Sequence, residues 1–302
     1  MKFSIITPAY NMEKWIEETI KSVLSQAGDF EIEYIIIDGG SKDRTYAIAQ
    51  QYEGLIHSRA YPVQCKKATM RCMAQVNTGM YDAINQGFDK ATGDICAWIN
   101  ADDVYEPGAF DAIARTYRAF PDIQWLKGVT STIDENGKKI RRGACKIYHQ
   151  DWIAQGIYGQ EAYFIEQDSV FWRTDMWKRA GPMPAHFRSA ADYWLWIQFA
   201  KYAPLWPLNI PVSCFRKREN QISKDVAKYK HEQLEIRPRR EWAAWNTRLF
   251  FSPQSRLAYK FPKIEFFFLW LYPIIFKKRN NEYIEIINGA PVKNIMKSYR
   301  LA

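Results

Sequence analysis

Short apolar segments alternate with segments of helical periodicity through the first hundred residues, and this alternation most constrains the fold. The predicted strands, each a largely continuous apolar run, are residues 3–7, 33–38 and 95–99, and the predicted helices between them are 11–26, 45–52 and 80–91. Continuous apolar runs are typical of strands buried on both faces, because a strand with one wet face alternates polar and apolar residues. The pattern predicts an α/β protein whose parallel, Rossmann-like sheet has helices on both faces.

The pattern changes beyond a further predicted helix at residues 107–120. The later segments are strand-like residues 125–133, turn residues 134–138, strand-like residues 161–172 and a predicted helix at 191–202. The chain has 302 residues, of which 47% are hydrophobic, enough for one large or two modest domains. A change of composition near residue 215 predicts a boundary between a body, 1–215, and a helical, basic C-terminal extension, 216–302.

The net charge of +9 is concentrated in that extension. Residues 214–302 contain 19 Lys and Arg against 8 Asp and Glu, whereas residues 1–213 are close to neutral. A basic extension on a neutral body indicates an anionic partner surface, either membrane or nucleic acid. Five cysteines without a CxxC pair favour a reducing, cytoplasmic location. The first residues enter a strand directly, so no signal peptide is expected.

Polar or aromatic side chains follow each of the three predicted strands. Pro8 and Tyr10 follow the first, Asp38 ends the second, and Asp102 and Asp103 follow the strand at 95–99. Because the carboxyl ends of parallel strands lie at one edge of a sheet, we expect these groups to converge on one crevice. Taken singly, Asp38 is better explained as a turn residue and Tyr10 by packing, and the Asp pair is equally compatible with a turn or a helix cap. Together they predict a nucleotide site.

The sequence has no P-loop and no Gly-x-Gly-x-x-Gly segment opening a helix to hold a diphosphate. Adjacent carboxylates repel each other and are best tolerated beside a cation. We therefore expect Mn²⁺ or Mg²⁺ on Asp102 and Asp103, between the protein and the diphosphate.

The chain resembles glycosyltransferase family 2, whose members have the GT-A fold. The matching segments are Thr7-Pro8-Ala9-Tyr10-Asn11, Ser22 to Gln26, Ile37 to Thr45 with its Asp38-Gly39-Gly40-Ser41 turn, Gly79 to Gly87, Ala91 to Asp94 and Asn100-Ala101-Asp102-Asp103. Their order and spacing match together over residues 3–103, and the likeness continues more weakly to about residue 200. The resemblance implies a nucleotide-diphosphate-sugar donor, with UDP as the default base, a divalent metal, and transfer with inversion at the anomeric carbon.

The resemblance also assigns roles to residues on the donor side. It places the nucleotide base on Pro8, Tyr10 and Asp38, and the ribose and metal-bound diphosphate on Asp102 and Asp103. In many members an Asp stands where this chain has Asn100, so metal binding is expected to depend on the later two carboxylates. Asp82 lies where a donor-contacting residue is often found. Residues 1–106 are then the nucleotide-sugar-binding half, and 107–215 the acceptor-binding half.

On the acceptor side, the resemblance points to Asp192 as the general base that takes the proton from the attacking hydroxyl. An Asp at the start of a helix is also a common cap, and that alternative stays open. Gln167 and Asp168 resemble a turn that shapes the acceptor pocket, or are plain turn residues. His186 is close to Asp192 in sequence, although an exposed histidine is the simpler interpretation. Most tryptophans are expected in the core, with at most one of Trp194 and Trp196 in a site.

The extension contains an aromatic and aliphatic run, residues 264–276, flanked by Lys and Arg between 256 and 279. The run is shorter than the about 20 residues that span a membrane, but its composition suits an interfacial segment on anionic lipid. A helix docked on the catalytic domain is the alternative. Nucleic acid is not expected as a partner, because so dense an apolar run does not suit phosphate recognition. A lipid-linked or glycan acceptor of cell-surface polysaccharide synthesis, at the inner face of the membrane, would agree with both the family and the extension.

Two other functions are compatible with parts of the pattern. A nucleotidyltransferase also uses a nucleotide fold and metal-binding carboxylates, but usually has a basic Gly-rich loop after its first strand, where this chain has Thr7 to Asn11. A non-catalytic nucleotide-sugar-binding protein would not need Asp102, Asp103 and Asp192 together.

Overall fold

A computed structural model of the protein describes residues 1–75, 79–159, 163–219, 221, 224–237 and 282–295. The strands among these residues are β1 (Lys2–Ala9), β2 (Gly28–Asp38), β3 (Cys65–Ala74), β4 (Ile95–Trp98), β5 (Val104–Tyr105), β6 (Trp125–Ile133), β7 (Lys139–Arg141), β8 (Val170–Arg173), β9 (Leu205–Arg216), β10 (Glu282–Ile287) and β11 (Ala290–Ile295). The helices are α1 (Ile16–Leu24), α2 (Thr45–His57), α3 (Met80–Asp89), α4 (Ala109–Ala119), α5 (Gln150–Ala154), α6 (Thr174–Ala180), α7 (Ala191–Ala200) and α8 (Val226–Ile236), with a short 3-10 helix at Gln167–Ser169.

The strands form one sheet in the order β11-β10-β9-β6-β8-β4-β1-β2-β3, with β5 beside β9 and β7 beside β6. The β4-β1-β2-β3 part is parallel, and β8 runs antiparallel to β4 and β6. Ala9 on β1 faces Asp38 on β2, and Asp38 faces Ala74 on β3. This register brings the carboxyl ends of the three strands into line. β4 joins the same edge, because Ile6 of β1 faces Trp98 and the chain then continues to Asp102.

Both faces of the parallel strands are buried. On β1, Ile5 packs in a core cluster with residues of α1 and α4, whereas Ile6 packs in a second cluster with residues of α3 and α7. Trp98 of β4 stacks on Trp196 of α7, with 5.7 Å between ring centroids. The sheet is therefore covered on both sides, and this is why the predicted strands are continuous apolar runs. Trp196 is a core residue, as expected for most of the tryptophans.

Several strands depart from the sequence expectation. β3 was not predicted because it is the edge strand and alternates Lys, Arg and apolar residues. β9 contains Pro207 and Pro211, and its pairing with β6 shifts register near these positions. The predicted strand at 161–172 is reduced to β8 and the 3-10 helix, within the part of it that the structure describes.

The extension is helical only in part. α8 confirms a helix, but residues 282–295 form the β10–β11 hairpin, so the helical expectation is wrong there. Asn288 and Gly289 lie at its turn with φ of 50° and 80°, the left-handed values that a two-residue hairpin turn requires. Ile284 of β10 pairs with Leu208 of β9, so the hairpin belongs to the central sheet.

The expected membrane segment, 264–276 with its basic flanks at 256–279, lies outside the described residues. None of the helices in the described ranges combines the length and the apolar character needed to cross a bilayer.

Candidate functional site

The loop after β1 and the loop after β2 are tied together at the carboxyl edge of the sheet. Asn11 adopts a left-handed φ of 53°, its amide donates to Ser41 Oγ at 2.9 Å, and its side-chain oxygen accepts from the Lys42 amide at 2.8 Å. Tyr10 is 56% exposed, and its ring lies against Gly39. Pro8 is the penultimate residue of β1. The exposed ring of Tyr10 is thus a flat, accessible surface on a fixed loop, suited to stacking.

Asp38 is buried, and its own turn satisfies its carboxylate. Oδ2 accepts from the amides of Gly40 and Ser41 at 3.0 and 2.9 Å, and Ser41 Oγ donates to Oδ1 at 2.5 Å. These contacts are those of a turn residue, which is one of the two roles that the sequence allows for Asp38. Since each carboxylate oxygen accepts more than one hydrogen bond, a further donor from a ligand is compatible with the turn.

Asp102 and Asp103 have different environments despite being adjacent. Asp102 is 5% exposed, and its Oδ2 accepts from Arg218 Nε at 2.6 Å. Asp103 is 0% exposed, and its Oδ1 accepts from the Arg216 amide at 2.8 Å. The expectation that both carboxylates bind a metal stays a prediction. The Asp103 carboxylate is fully buried and also holds the end of β9 through the Arg216 amide.

Burial raises the pKa of Asp103 well above its usual value, and the nearby carboxylates Asp102 and Asp168 raise it further. Asp168 is also buried, accepts from Ser213 Oγ at 2.5 Å, and has a raised pKa, chiefly because of burial. The sequence left Asp168 between an acceptor-pocket wall and a turn. Its contacts make it part of a buried polar network beneath the edge rather than a surface-lining residue.

Two arginines at the end of β9 complete this region and were missed from the sequence. The guanidinium of Arg216 is fully buried, donates to the backbone oxygens of Asp102, Asp134 and Glu135, and pairs with Glu18 at 2.5 Å. Arg218 pairs with Asp102 and lies over the ring of Trp15. The only local signal was a basic triplet following an apolar strand.

An open groove of about 590 Å³ adjoins Arg218. Its lining residues are Glu135, Phe215, Lys217, Arg218, Glu219, Gln221 and Lys224. The groove volume is within the range of small-molecule sites, and its cations suit an anionic ligand.

The side chains around Asp102 fit a divalent cation only in cooperation with a ligand. In the described ranges, no three His, Cys, Asp or Glu side chains are grouped as a metal site. Asn100 Oδ1, however, is buried and accepts no hydrogen bond from the residues described. A buried, unsatisfied carbonyl-type oxygen near a carboxylate is a suitable oxygen ligand for Mg²⁺ or Mn²⁺, and such ions commonly take their remaining ligands from phosphate and water. Asn100 Oδ1 and the slightly more accessible carboxylate, Asp102, are thus candidate oxygen ligands, and the Asn100 amide nitrogen donates to Asp103 Oδ2 at 3.4 Å.

Asp192 lies in the first turn of α7 and is partly buried. Its Oδ1 accepts from the Tyr193 amide at 2.8 Å and from the Tyr229 hydroxyl at 3.4 Å. Burial raises the pKa of its carboxyl from 3.8 to about 7, although these hydrogen bonds act in the opposite direction. Ala190 is the N-cap residue of α7, so Asp192 is not the cap itself. A carboxylate that titrates near neutral pH is suited to take up a proton in a reaction.

The first turn of α3 contacts the start of α7 beside Asp192. The hydroxyl of Tyr81 lies against the amides of Ala191 and Asp192. Asp82, the next residue, accepts from Gln86 at 2.9 Å and is partly buried. Since α3 begins shortly after the carboxyl end of β3, this contact brings Asp192 to the edge of the sheet that carries Tyr10, Asp38 and Asp102.

α8 contributes two further residues that the sequence assigned to the extension. Tyr229 donates to Asp192, and Glu232 accepts the amides of Arg188, Ser189 and Ala190, which lead into α7. His186, in the same connection, is exposed, and its ring contacts the ring of Phe187 at a tilt of 44°. No local pattern marks Tyr229 or Glu232, because their partners lie about 40 residues away in sequence.

The fold and the candidate site together define a class: an α/β protein in which polar and aromatic side chains gather at the carboxyl edge of a parallel β3-β2-β1-β4 sheet. The family model described as Glycosyl transferase family 2 matches residues 4–175, more than half of the chain. The chain belongs to this family, and the family resemblance noted from the motifs is confirmed.

Relatives agree with this assignment. An uncharacterized glycosyltransferase of Nostoc, alr2836, is 31% identical over 140 residues, covering 46% of this chain and 40% of that protein. A PGL/p-HBAD biosynthesis glycosyltransferase of Mycobacterium bovis is 26% identical over 193 residues, covering 63% of this chain and 66% of that one. The chain thus spans less than two thirds of the length of both relatives.

The fold is shared with a solved structure, that of S. aureus TarS. Residues 1–349 of S. aureus TarS in complex with UDP-GlcNAc superpose with a TM-score of 0.56 at 15% identity, covering 98% of this chain and 97% of that one. The UDP complex gives a TM-score of 0.54 at 17% identity, covering 90% and 78%. The α/β fold of the GT-A type predicted from the sequence is confirmed.

Proposed function

We propose that this chain transfers a sugar, with inversion, from a nucleotide-diphosphate donor to a hydroxyl group of a glycan or lipid-linked acceptor in cell-surface polysaccharide synthesis. The observation that carries the proposal is Asp192, a carboxylate with a pKa of about 7 that contacts α3 at the carboxyl edge of the sheet. The family supports the reaction class. A Bacillus subtilis relative, 36% identical over 103 residues (34% of this chain, 36% of that protein), is named as a putative teichuronic acid biosynthesis glycosyltransferase, which supports the acceptor class.

The donor nucleotide binds at the loops after β1 and β2 in this proposal. The exposed ring of Tyr10 stacks on the base, and Pro8 and the Asp38 turn shape the pocket around it. Asp82, in the first turn of α3, contacts the sugar portion. UDP is the first base to test, supported by the fold shared with TarS, which is solved with UDP-GlcNAc.

The diphosphate lies beside Asp102 in the proposal. Asp102 and Asn100 would hold a Mn²⁺ or Mg²⁺ ion, and that ion would neutralise charge on the leaving diphosphate. Arg218, paired with Asp102 at 2.6 Å, and Lys217 and Lys224 along the adjoining groove add fixed positive charge. A pre-positioned cation is worth most where charge develops, and that is on the diphosphate oxygen as its bond to the sugar breaks.

Asp192 acts as the general base. The acceptor oxygen attacks the anomeric carbon from the face opposite the diphosphate, its proton passes to the Asp192 carboxylate, and the bond from carbon to the diphosphate oxygen breaks with its electron pair. One displacement inverts the anomeric configuration. A base whose pKa lies near the working pH is the most effective, because it is both available and strong enough.

The two alternatives from the sequence fare differently. Family membership gives the nucleotidyltransferase no support. A non-catalytic binding protein is separated from an enzyme by turnover. Purified protein is incubated with UDP- and GDP-sugars and Mn²⁺, with and without EDTA, and release of the nucleoside diphosphate is measured. Metal-dependent release supports the proposal, whereas absence of both turnover and metal-dependent nucleotide binding refutes it.

Association with a membrane surface through residues 256–279, and with it a cytoplasmic, peripheral location, stays a prediction of the sequence. Co-sedimentation of the full chain with anionic vesicles is the test. Binding that is unchanged when the lysines and arginines at 256–279 are replaced by glutamine would contradict it.

A further inference from the structure

α8 supports the connection that leads into the candidate base. Glu232 is buried, and its Oε1 accepts the Arg188 amide at 3.0 Å while its Oε2 accepts the amides of Ser189 and Ala190 at 2.9 Å each. These three consecutive amides immediately precede α7, whose N-cap residue is Ala190. A carboxylate from a separate helix therefore holds the connection into α7 in place and satisfies the N-cap amide.

Tyr229, one turn earlier on α8, reaches the base directly. Its hydroxyl donates to Asp192 Oδ1 at 3.4 Å, and its ring packs against the cluster of Ala190, Tyr193 and Ile197. The Tyr229 ring also packs edge-on against Phe164, with 5.6 Å between the ring centroids. The hydroxyl is held by this packing rather than by its hydrogen bond alone, so its position relative to Asp192 is fixed.

We propose that Tyr229 and Glu232 are positioning residues that hold Asp192 at the place and in the charge state that transfer requires. This inference rests on the proposed function, since it concerns the same base. It assigns α8, which lies beyond the body expected to contain the whole site, a part in the reaction.

The two residues act on the Asp192 proton in opposite directions. The groups that face Asp192 are Tyr81 from α3 and Tyr229 and Glu232 from α8. The Tyr229 hydrogen bond lowers the pKa of Asp192, and the negative charge of Glu232 raises it, both against a larger effect of burial. Glu232 is itself ionised near neutral pH, because burial raises its pKa but its amide hydrogen bonds outweigh burial and keep that pKa below the usual value.

The test is a direct titration of Asp192 by ¹³C NMR of protein labelled at the aspartate carboxyl carbon, with the signal assigned by its loss in Asp192→Asn. Tyr229→Phe is expected to raise the Asp192 midpoint by about half a pH unit, because it removes a donor to the charged form. Glu232→Gln is expected to lower the midpoint, because it removes a neighbouring charge. The two variants should also lower kcat about tenfold or more, with donor binding changed less than about twofold, because the base is displaced and the donor loops are not.

Two matched substitutions serve as controls. Glu235→Gln changes an exposed glutamate on the same helix, and Tyr202→Phe changes an exposed tyrosine elsewhere. Neither should move the Asp192 midpoint. A midpoint that does not move in Tyr229→Phe overturns the inference, and so does one that moves the same way in both α8 variants. If Glu232→Gln does not fold, Tyr229→Phe alone decides. The NMR titration needs no turnover, so an inactive wild type would refute the proposed function while leaving this test intact.

Discussion

Replacing Asp192 by asparagine should stabilise the fold at alkaline pH while abolishing transfer. The carboxyl has its pKa raised from 3.8 to about 7, chiefly by burial, so the folded protein binds this proton more tightly than the unfolded chain does. The wild type is therefore destabilised by this group as pH rises from about 4 to about 7, and fully so above pH 7. Asparagine has nearly the same shape and no charge to bury.

The magnitude follows from the pKa difference of about 3, at about 1.36 kcal/mol for each pKa unit, or about 4 kcal/mol at pH 8. Asp192 is only partly buried, so contact with solvent reduces this to about 2 kcal/mol. For a chain of 302 residues that corresponds to an increase in Tm of about 3 °C.

Thermal unfolding of both proteins at pH 4 and pH 8 measures the effect. Asp192→Asn should have the higher Tm at pH 8, and the difference should be much smaller at pH 4, where the wild-type carboxyl is protonated in the folded protein and about half protonated in the unfolded chain. Asp175→Asn, which changes an exposed carboxylate on α6, is the control and should change neither value. If Asp192→Asn is less stable than the wild type at pH 8, the carboxylate acts as a stabilising first-turn residue, and the reasoning that makes it a base fails.

Other expected outcomes test the rest of the site. The value of kcat/KM should fall about tenfold per pH unit below pH 7, as Asp192 is protonated, and a flat pH profile from 5 to 8 would contradict this. Asp102→Ala should remove the metal-dependent part of UDP binding in calorimetry, and it should also lower stability because the largely buried Arg218 loses this ion-pair partner. Asp103→Ala should instead lower the unfolding free energy in urea by about 1–3 kcal/mol, because the Arg216 amide loses its acceptor. Tyr10→Ala should weaken UDP binding about 2- to 10-fold with no change in Tm, since its ring is exposed.

The sequence predicts the part of the fold in which local pattern and burial agree. β1, β2 and β4 lie at the predicted strands, and α1, α2, α3, α4 and α7 lie at the predicted helices, because buried parallel strands and amphipathic helices both have distinct periodicity. β3 and β9 were missed for opposite reasons. β3 has a solvated face and resembles a polar segment, while the prolines of β9 are tolerated at its register shifts. The hairpin at 282–295 has a local turn signal, Asn288-Gly289. The basic composition of the whole extension, from which its structure is predicted, does not reveal that signal.

The candidate site, like the fold, can be predicted only in part from local sequence. Tyr10, Asp38 and Asp102 lie at or shortly after the carboxyl ends of strands, so their location at one edge follows from topology alone. The difference between Asp102 and Asp103 does not, because it depends on where the end of β9 passes, more than 100 residues later in the chain. The hydrogen bonds from the connection before α7 to Glu232 likewise join distant segments, and no local sequence pattern marks them. Such contacts are visible only once the chain is folded.

The proposed reaction is sugar transfer by a single inverting displacement at the anomeric carbon, with Asp192 as the general base. The most direct test follows a panel of UDP-, GDP- and dTDP-α-sugars with Mn²⁺ by ¹H and ³¹P NMR, which report the anomeric configuration of the sugar product and the release of the nucleoside diphosphate. We predict that the wild type consumes at least one donor and forms the β-configured product first, and that Asp192→Asn binds the same donor without turnover. A product that retains the α configuration, or turnover by Asp192→Asn equal to that of the wild type, would contradict the account.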